Sequence, residues 1–355
     1  MQRRTFNKNF LLTLPLASGL LSTAGTYRMS AKKIKPKRLK KGDTIGLISP
    51  ASYIQDDGLE KAVTNLENLG FKVKKGKHIR KLRGFLAGTD QERLEDLHNM
   101  FSDKSVDGIW CVRGGYGSAR LLPQIDYGLI KKNPKVFIGY SDITALLQGI
   151  HTNTGLICFH GPVGASEQTD FTKEQLIAVL MEGRAPHIIA IPEPATEKTE
   201  EEAKDTKEKK QAFEPYVINP GKVSGPLVGG NLSLLAAITG TDYQLDVRGK
   251  LLFIEDVGEK PYRIDRMLTQ LRQAYPLEKT AGIALGVFSG CEANEDDNSL
   301  TLRETLLDRL ADLDVPIMYG LPFGHIDDHC TLPVGLEAEL DTVARTVTLL
   351  ESAVS

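Results

Sequence analysis

The sequence predicts an α/β protein: an N-terminal, mostly parallel sheet flanked by helices, then a C-terminal α/β domain with terminal β-strands. Three observations predict it. Between residues 43 and 162, short apolar runs alternate with segments of helical spacing, the pattern of strand–helix units that build a parallel sheet. Near residue 186 prolines crowd together, and a nearly unbroken charged run follows at 197–210. Beyond residue 221 strand and helix patterns resume, and the tail alternates at Leu336, Ala338 and Leu340, then at Val343, Thr346 and Thr348. The expected domains are therefore 39–185, a charged linker or insert over 186–220, and 221–355.

The chain of 355 residues is 41% hydrophobic, enough to fill a real core, and its net charge of -2 argues against nucleic acid as a partner. Cys111, Cys158, Cys291 and Cys330 are scattered without a C-x-x-C pair, so neither a zinc site nor a disulfide framework is expected. Arg3 and Arg4, the apolar run 10–21 and the small residues 22–25 have the layout of a twin-arginine export signal over 1–30. That run is short for a membrane span, so no stable span is expected after processing. The expected location is the periplasm, or the cytoplasm if the signal is not functional. No cysteine lies near the cleavage region, which argues against a lipid anchor.

Residues 43–48 read as the first strand, and 59–69 as a helix closed by Gly70. A short strand over 71–73 follows, then a helix capped by Asp90 with Leu94, Leu97 and Met100 on one face. Residues 108–112 are a strand, 113–117 its loop, and a helix starts at 118–122. Strands at 136–138 and 156–159 flank a helix from 143. The loops at Ser49, Arg113, Ser141 and His160 should converge on one sheet edge, where ligands gather in such folds. In the second half, glycines at 221, 225, 229 and 230 lead to a helix over 232–238. Strands at 250–254, 283–287 and 316–319 alternate with helices at 262–273 and 302–313.

Ser141 sits between a strand end and a helix start, where a serine either caps the helix or stands on a sharp elbow with its hydroxyl exposed. Free amides at the helix start suit a developing oxyanion. Ser141, Glu255 and His325 each lie where a predicted strand runs out, and their order is compatible with a hydrolytic triad. Composition cannot select them among seven histidines and 46 acidic residues. His160 and His151 are rivals for the base, and Asp142, Asp256 and Asp265 for the acid. Gly115-Tyr116-Gly117 begins a dinucleotide-type fingerprint, but Arg120 occupies the third glycine's place, so no nucleotide cofactor is expected. The amides of Gly114 and Gly115 are candidates for half of an oxyanion hole.

Five motifs occur together in order. They are Arg113-Gly114-Gly115-Tyr116-Gly117 with Arg120, Gly139-Tyr140-Ser141-Asp142, Gly229-Gly230-Asn231, Phe253-Ile254-Glu255-Asp256 with Tyr262-Arg263 and Asp265, and Gly320-Leu321-Pro322-Phe323-Gly324-His325. From about Leu39 to the C-terminus the chain resembles the LD-carboxypeptidases, or muramoyltetrapeptide carboxypeptidases, a serine peptidase family that includes microcin-immunity peptidases. The resemblance implies Ser141 as nucleophile, His325 as base and Glu255 as the carboxylate orienting it. It implies oxyanion donors at the Asp142 amide and at Gly114 or Gly115. Arg113, Tyr116, Arg120 and Asn231 are the candidate substrate-binding residues, the two arginines for a terminal carboxylate. The implied reaction removes the terminal D-alanine of a cell-wall tetrapeptide, with no metal or other cofactor, in a homodimer. A peptide-nucleotide antibiotic as substrate and a non-catalytic muropeptide-binding protein are the alternatives.

Overall fold

The computed structural model describes residues 32–192, 214–294 and 298–355. The expected export signal and the 197–210 charged run lie outside the described residues. The first half forms β1 (Thr44–Ile48), α1 (Asp56–Asn68), β2 (Lys72–Lys75), α2 (Asp90–Ser102) and β3 (Gly108–Cys111). It continues with α3 (Tyr127–Lys132), β4 (Val136–Gly139), α4 (Thr144–Thr154), β5 (Cys158–His160) and α5 (Asp170–Leu176). The second half forms β6 (His187–Ala190), β7 (Tyr216–Asn219), β8 (Lys222–Asn231), α6 (Leu232–Ile238), β9 (Leu251–Val257) and α7 (Pro261–Ala274). Then come β10 (Gly282–Ser289), α8 (Leu302–Leu310), β11 (Ile317–Gly324), β12 (Leu332–Val334), β13 (Glu337–Asp341) and β14 (Thr346–Leu349).

Two sheets result. The first has the order β12, β5, β4, β3, β1, β2, with β1 to β5 parallel and β12 antiparallel at its edge. The second has the order β6, β14, β13, β8, β9, β10, β11, β7, parallel at its centre and antiparallel outside. The sheets do not follow the expected division of the chain. β12, from the C-terminal part, completes the first sheet, and β6, inside the expected 186–220 linker, joins the second. In β6 only His187 and Ile189 are buried, too short an alternation to stand out beside three prolines.

Local chemistry shifts several boundaries. α2 is capped by Thr89 and not Asp90: the Thr89 side chain accepts from the Glu92 amide and the Glu92 carboxylate accepts from the Thr89 amide, a capping box. Residues 118–124 form a 3-10 helix, with Pro123 inside it lacking an amide to donate. The glycine-rich stretch before residue 232 forms the ten-residue strand β8. Its glycines allow close packing. A Cβ on Gly230, whose φ is +139°, would lie 2.5 Å from Thr144 Oγ1. In that space the Asn231 amide donates to Thr144 Oγ1 at 3.0 Å, and Gln148 Nε2 donates to the Gly229 carbonyl at 2.5 Å. Helix α4 is thereby clasped to the second sheet.

The centre of that sheet is buried on both faces, as parallel strands usually are. Leu251 and Phe253 of β9 join the core shared with the first sheet, whereas Leu252 and Ile254 join a separate core beneath α6, α7 and α8. In β11, Leu321 and Phe323 likewise face the first sheet's side. Strand parity then sends Glu255 toward the first sheet and Asp256 toward α6.

Candidate active site

The parallel strands β1, β3, β4 and β5 deliver their following loops to one edge. There they surround an open cleft of about 440 Å³, lined among others by Gln55, Arg113, Gly115, Ser141 and Val163, with His325 contributed by the second sheet. Ser141 follows β4 and has φ +62°, one of two non-glycine residues with positive φ among those described. Such a conformation is costly for a side chain and marks an imposed elbow. A 3-10 turn, Ser141–Ile143, then runs into α4, so the helix proper begins at Thr144.

The second sheet supplies two partners. His325 Nε2 lies 3.0 Å from Ser141 Oγ, and His325 Nδ1 lies 2.8 Å from Glu255 Oε2. The Glu255 side chain is fully buried, while the imidazole is one-fifth exposed and reaches the cleft. An imidazole held between a hydroxyl and a buried carboxylate can take the hydroxyl's proton. Tyr140, also lining the cleft, packs its ring against His325 at 4.9 Å and His329 at 4.7 Å. Burial pushes its phenol up to about 12.

Gly114 and Gly115 line the cleft beside Ser141. A Cβ on Gly114 would stand 3.0 Å from Ser141 Cβ and 3.3 Å from the Asp142 amide nitrogen, so a side chain there would crowd the space before that amide. The Asp142 carboxylate serves a different purpose. It accepts from the Ser118 amide at 2.8 Å and the Gly117 amide at 3.3 Å, and the Ser118 hydroxyl donates to the Asp142 carbonyl. It thereby ties the 113–117 loop to the elbow. Burial raises its pKa from the ordinary aspartate value.

The rival residues are placed elsewhere. Asp256 accepts from Asn231 Nδ2 and from the Ser233 amide and hydroxyl. Asp265, on α7, lies 3.8 Å from Arg309. His151 sits in the last turn of α4, its Nδ1 against the Leu156 carbonyl. His160 is fully buried behind the site, neither ring nitrogen has a hydrogen-bond partner among the described residues, and burial lowers its pKa to about 4.

Two of the four expected substrate contacts already have partners within the chain. Arg120 turns its guanidinium to Asp90, with Nε to Oδ1 at 3.0 Å and Nη2 to Oδ2 at 2.9 Å, so its fork is already filled by a carboxylate of α2. Asn231 is buried: its Oδ1 caps α6 through the Leu234 amide and its Nδ2 donates to Asp256. Arg113 does line the cleft, is exposed, and donates one Nη1 bond to the Tyr53 carbonyl. Tyr116 is exposed on the rim, edge-on to Phe85 at 5.4 Å.

Arg93 does not stand out in the sequence, yet it ties two cleft loops together, donating Nη1 to the Pro50 and Gly117 carbonyls. Its one signal is a cation in register with Leu97 and Met100 on the buried face of α2. Among the described residues, no group of three His, Cys, Asp or Glu is placed to hold a metal ion, and no helix is long and apolar enough to cross a membrane.

The profile of the LD-carboxypeptidase N-terminal domain matches residues 45–161, and that of the LD-carboxypeptidase C-terminal domain matches residues 224–340. A probable murein peptide carboxypeptidase of Bacillus subtilis strain 168 is 41% identical over 326 residues, covering 90% of this chain and 95% of that protein. The murein tetrapeptide carboxypeptidase of Pseudomonas aeruginosa is 34% identical over 310 residues, covering 84% and 92%. Among solved structures, the wild-type apo microcin C7 self-immunity protein MccF superposes with a TM-score of 0.80 at 28% identity, covering 91% of this chain and all of that one. The muramoyltetrapeptide carboxypeptidase of Oxalobacter formigenes gives 0.71 at 29% identity, covering 86% and 97%.

Proposed function

We propose, from the premise that this chain belongs to the LD-carboxypeptidase family, that it is a serine LD-carboxypeptidase that removes the terminal D-alanine from peptidoglycan tetrapeptides. The observation that carries the reading is the continuous chain of contacts from Ser141 through His325 to buried Glu255. Glu255 holds the Nδ1–H tautomer of His325, leaving the Nε2 lone pair to accept the Ser141 proton. Ser141 Oγ attacks the carbonyl of the diamino acid, and the oxyanion meets the Asp142 amide with that of Gly114 or Gly115. His325 then gives its proton to the departing amine of D-alanine, and water, activated by the same imidazole, releases the peptide from the serine ester. Arg113 receives the free terminal carboxylate that distinguishes a carboxypeptidase substrate.

Purified protein incubated with disaccharide tetrapeptide should release D-alanine, and Ser141→Ala should reduce release at least a thousandfold. Equal release by both proteins would sink the nucleophile assignment, whereas binding without release by the wild type would favour a non-catalytic muropeptide-binding protein. The likeness to MccF favours one second reading, an immunity-type peptidase acting on a peptide-nucleotide antibiotic. Faster turnover of that substrate than of the tetrapeptide would establish it. The proposal includes action outside the cytoplasm, as a homodimer. Retention of residues 1–30 on a cytoplasmic, monomeric protein would overturn both points.

A further inference from the structure

The cleft carries two fixed charges of opposite sign that no ion pair neutralises among the described residues. One is Arg113. The other is Asp57, in the first turn of α1, exposed and lining the same cleft. Its neighbour Asp56 is ion-paired with Arg80, but Asp57 is not paired with any described lysine or arginine. The Asp57 carboxylate accepts the Gly58 amide at Oδ1, at 2.7 Å. Arg113 is anchored to the Tyr53 carbonyl, four residues before Asp57 in the chain, yet the two charges do not bond to each other. Opposite charges left apart in one cleft suit a ligand that itself carries both signs at separate points.

We infer that Asp57 reads the side-chain ammonium of the diamino acid whose carbonyl Ser141 attacks, while Arg113 holds the terminal carboxylate. The inference rests on the LD-carboxypeptidase reading, and it makes Asp57 a specificity residue rather than part of the hydrolytic machinery. Both diamino acids open to this enzyme carry an ammonium at the far end of the side chain: lysine's stands alone, and that of diaminopimelate shares its carbon with a carboxylate. An uncharged isostere carries no ammonium, and would leave Asp57 facing water. Gln55, the other polar group of the α1 entrance that lines the cleft, carries no charge and cannot substitute.

The test compares tetrapeptides ending in L-lysyl-D-alanine, meso-diaminopimelyl-D-alanine and L-norleucyl-D-alanine, followed as D-alanine release. Wild type should prefer the two amine-bearing peptides over the norleucyl peptide by about tenfold in kcat/KM, mainly through KM. Asp57→Asn keeps an acceptor for the Gly58 amide and should bring that preference to within about twofold, leaving the norleucyl rate unchanged. Arg113→Ala should lower the lysyl and norleucyl peptides alike, because they share the terminal carboxylate and carry no other at this residue pair. A wild-type preference retained in full by Asp57→Asn overturns the inference while the activity stands. Absence of release from every peptide by the wild type overturns the LD-carboxypeptidase reading and this inference with it.

Discussion

Glu255→Gln separates the orienting role of Glu255 from any role in stability. In the native arrangement Oε2 lies 2.8 Å from His325 Nδ1, and the side chain is fully buried. Glutamine is nearly isosteric, but its amide can turn a donor toward Nδ1. That would place the proton on Nε2, the nitrogen 3.0 Å from Ser141 Oγ, and remove the acceptor the hydroxyl needs. It would also leave the imidazolium formed during attack without its counter-charge. The comparable change in a serine protease triad costs about 10⁴-fold in kcat, so a loss of about 10³- to 10⁴-fold is expected, equivalent to about 4–5.5 kcal/mol of barrier. Stability should move the other way. A buried carboxylate is expensive to desolvate, and Glu255 Oε1 has no hydrogen-bond partner among the described residues. The neutral amide should therefore leave the melting temperature unchanged or raise it. The assay is steady-state D-alanine release alongside thermal unfolding of the same preparations. A kcat within tenfold of wild type, with a folded variant, would refute the orienting role.

Two further outcomes are expected. Gly114→Ala places a methyl 3.2 Å from Ser141 Oγ and 3.3 Å from the Asp142 amide nitrogen, and kcat should fall about 10²-fold while circular dichroism stays native; unchanged kcat would remove that space from the oxyanion path. His160 is held neutral by burial, with its pKa lowered to about 4 from 6.5, so the folded protein binds fewer protons than the unfolded chain between those values. Its contribution to stability is full above pH 6.5 and is lost as pH falls toward 4, by about 3 kcal/mol. Urea unfolding at pH 7 and pH 4.5 should show His160→Leu losing less stability on acidification than wild type; parallel losses would refute this.

The alternation of elements in the first half is legible in the sequence because its strands end in turn signals and its longer helices have one apolar face. The elbow at Ser141 is legible too, as an apolar strand running into Gly139-Tyr140-Ser141-Asp142, although its positive φ is a property of the fold and not of the residue type. The choice between Glu255 and Asp256 is not legible from periodicity. Leu251, Leu252, Phe253 and Ile254 are all apolar because β9 is buried on both faces, so the strand shows no alternation from which to read direction. Only the position of Phe253 against the first sheet tells which acid points to the cleft. The in-chain partners of Arg120 and Asn231 are not legible for a related reason. Their residue types suit ligand binding, but their partners Asp90 and Asp256 are 30 and 25 positions away, and local pattern carries no such distance information.

The candidate site lies where the two sheets meet. Ser141 comes from the first, Glu255 and His325 from the second, and the join is made by α4 lying against β8 immediately behind the elbow. The residue that accepts the Asn231 amide, Thr144, is the first residue of the helix whose start carries Ser141. Asn231 in turn donates to Asp256, the neighbour of Glu255. One run of hydrogen bonds therefore fixes the serine-bearing helix against the acid-bearing strand, without touching the cleft. The glycine-glycine-asparagine motif, whose residue types suggest ligand contacts, thus bridges the two sheets through its own hydrogen bonds. Buried Asn231 thus acts on the geometry around Ser141 and Glu255 through Thr144 and Asp256, its hydrogen-bond partners.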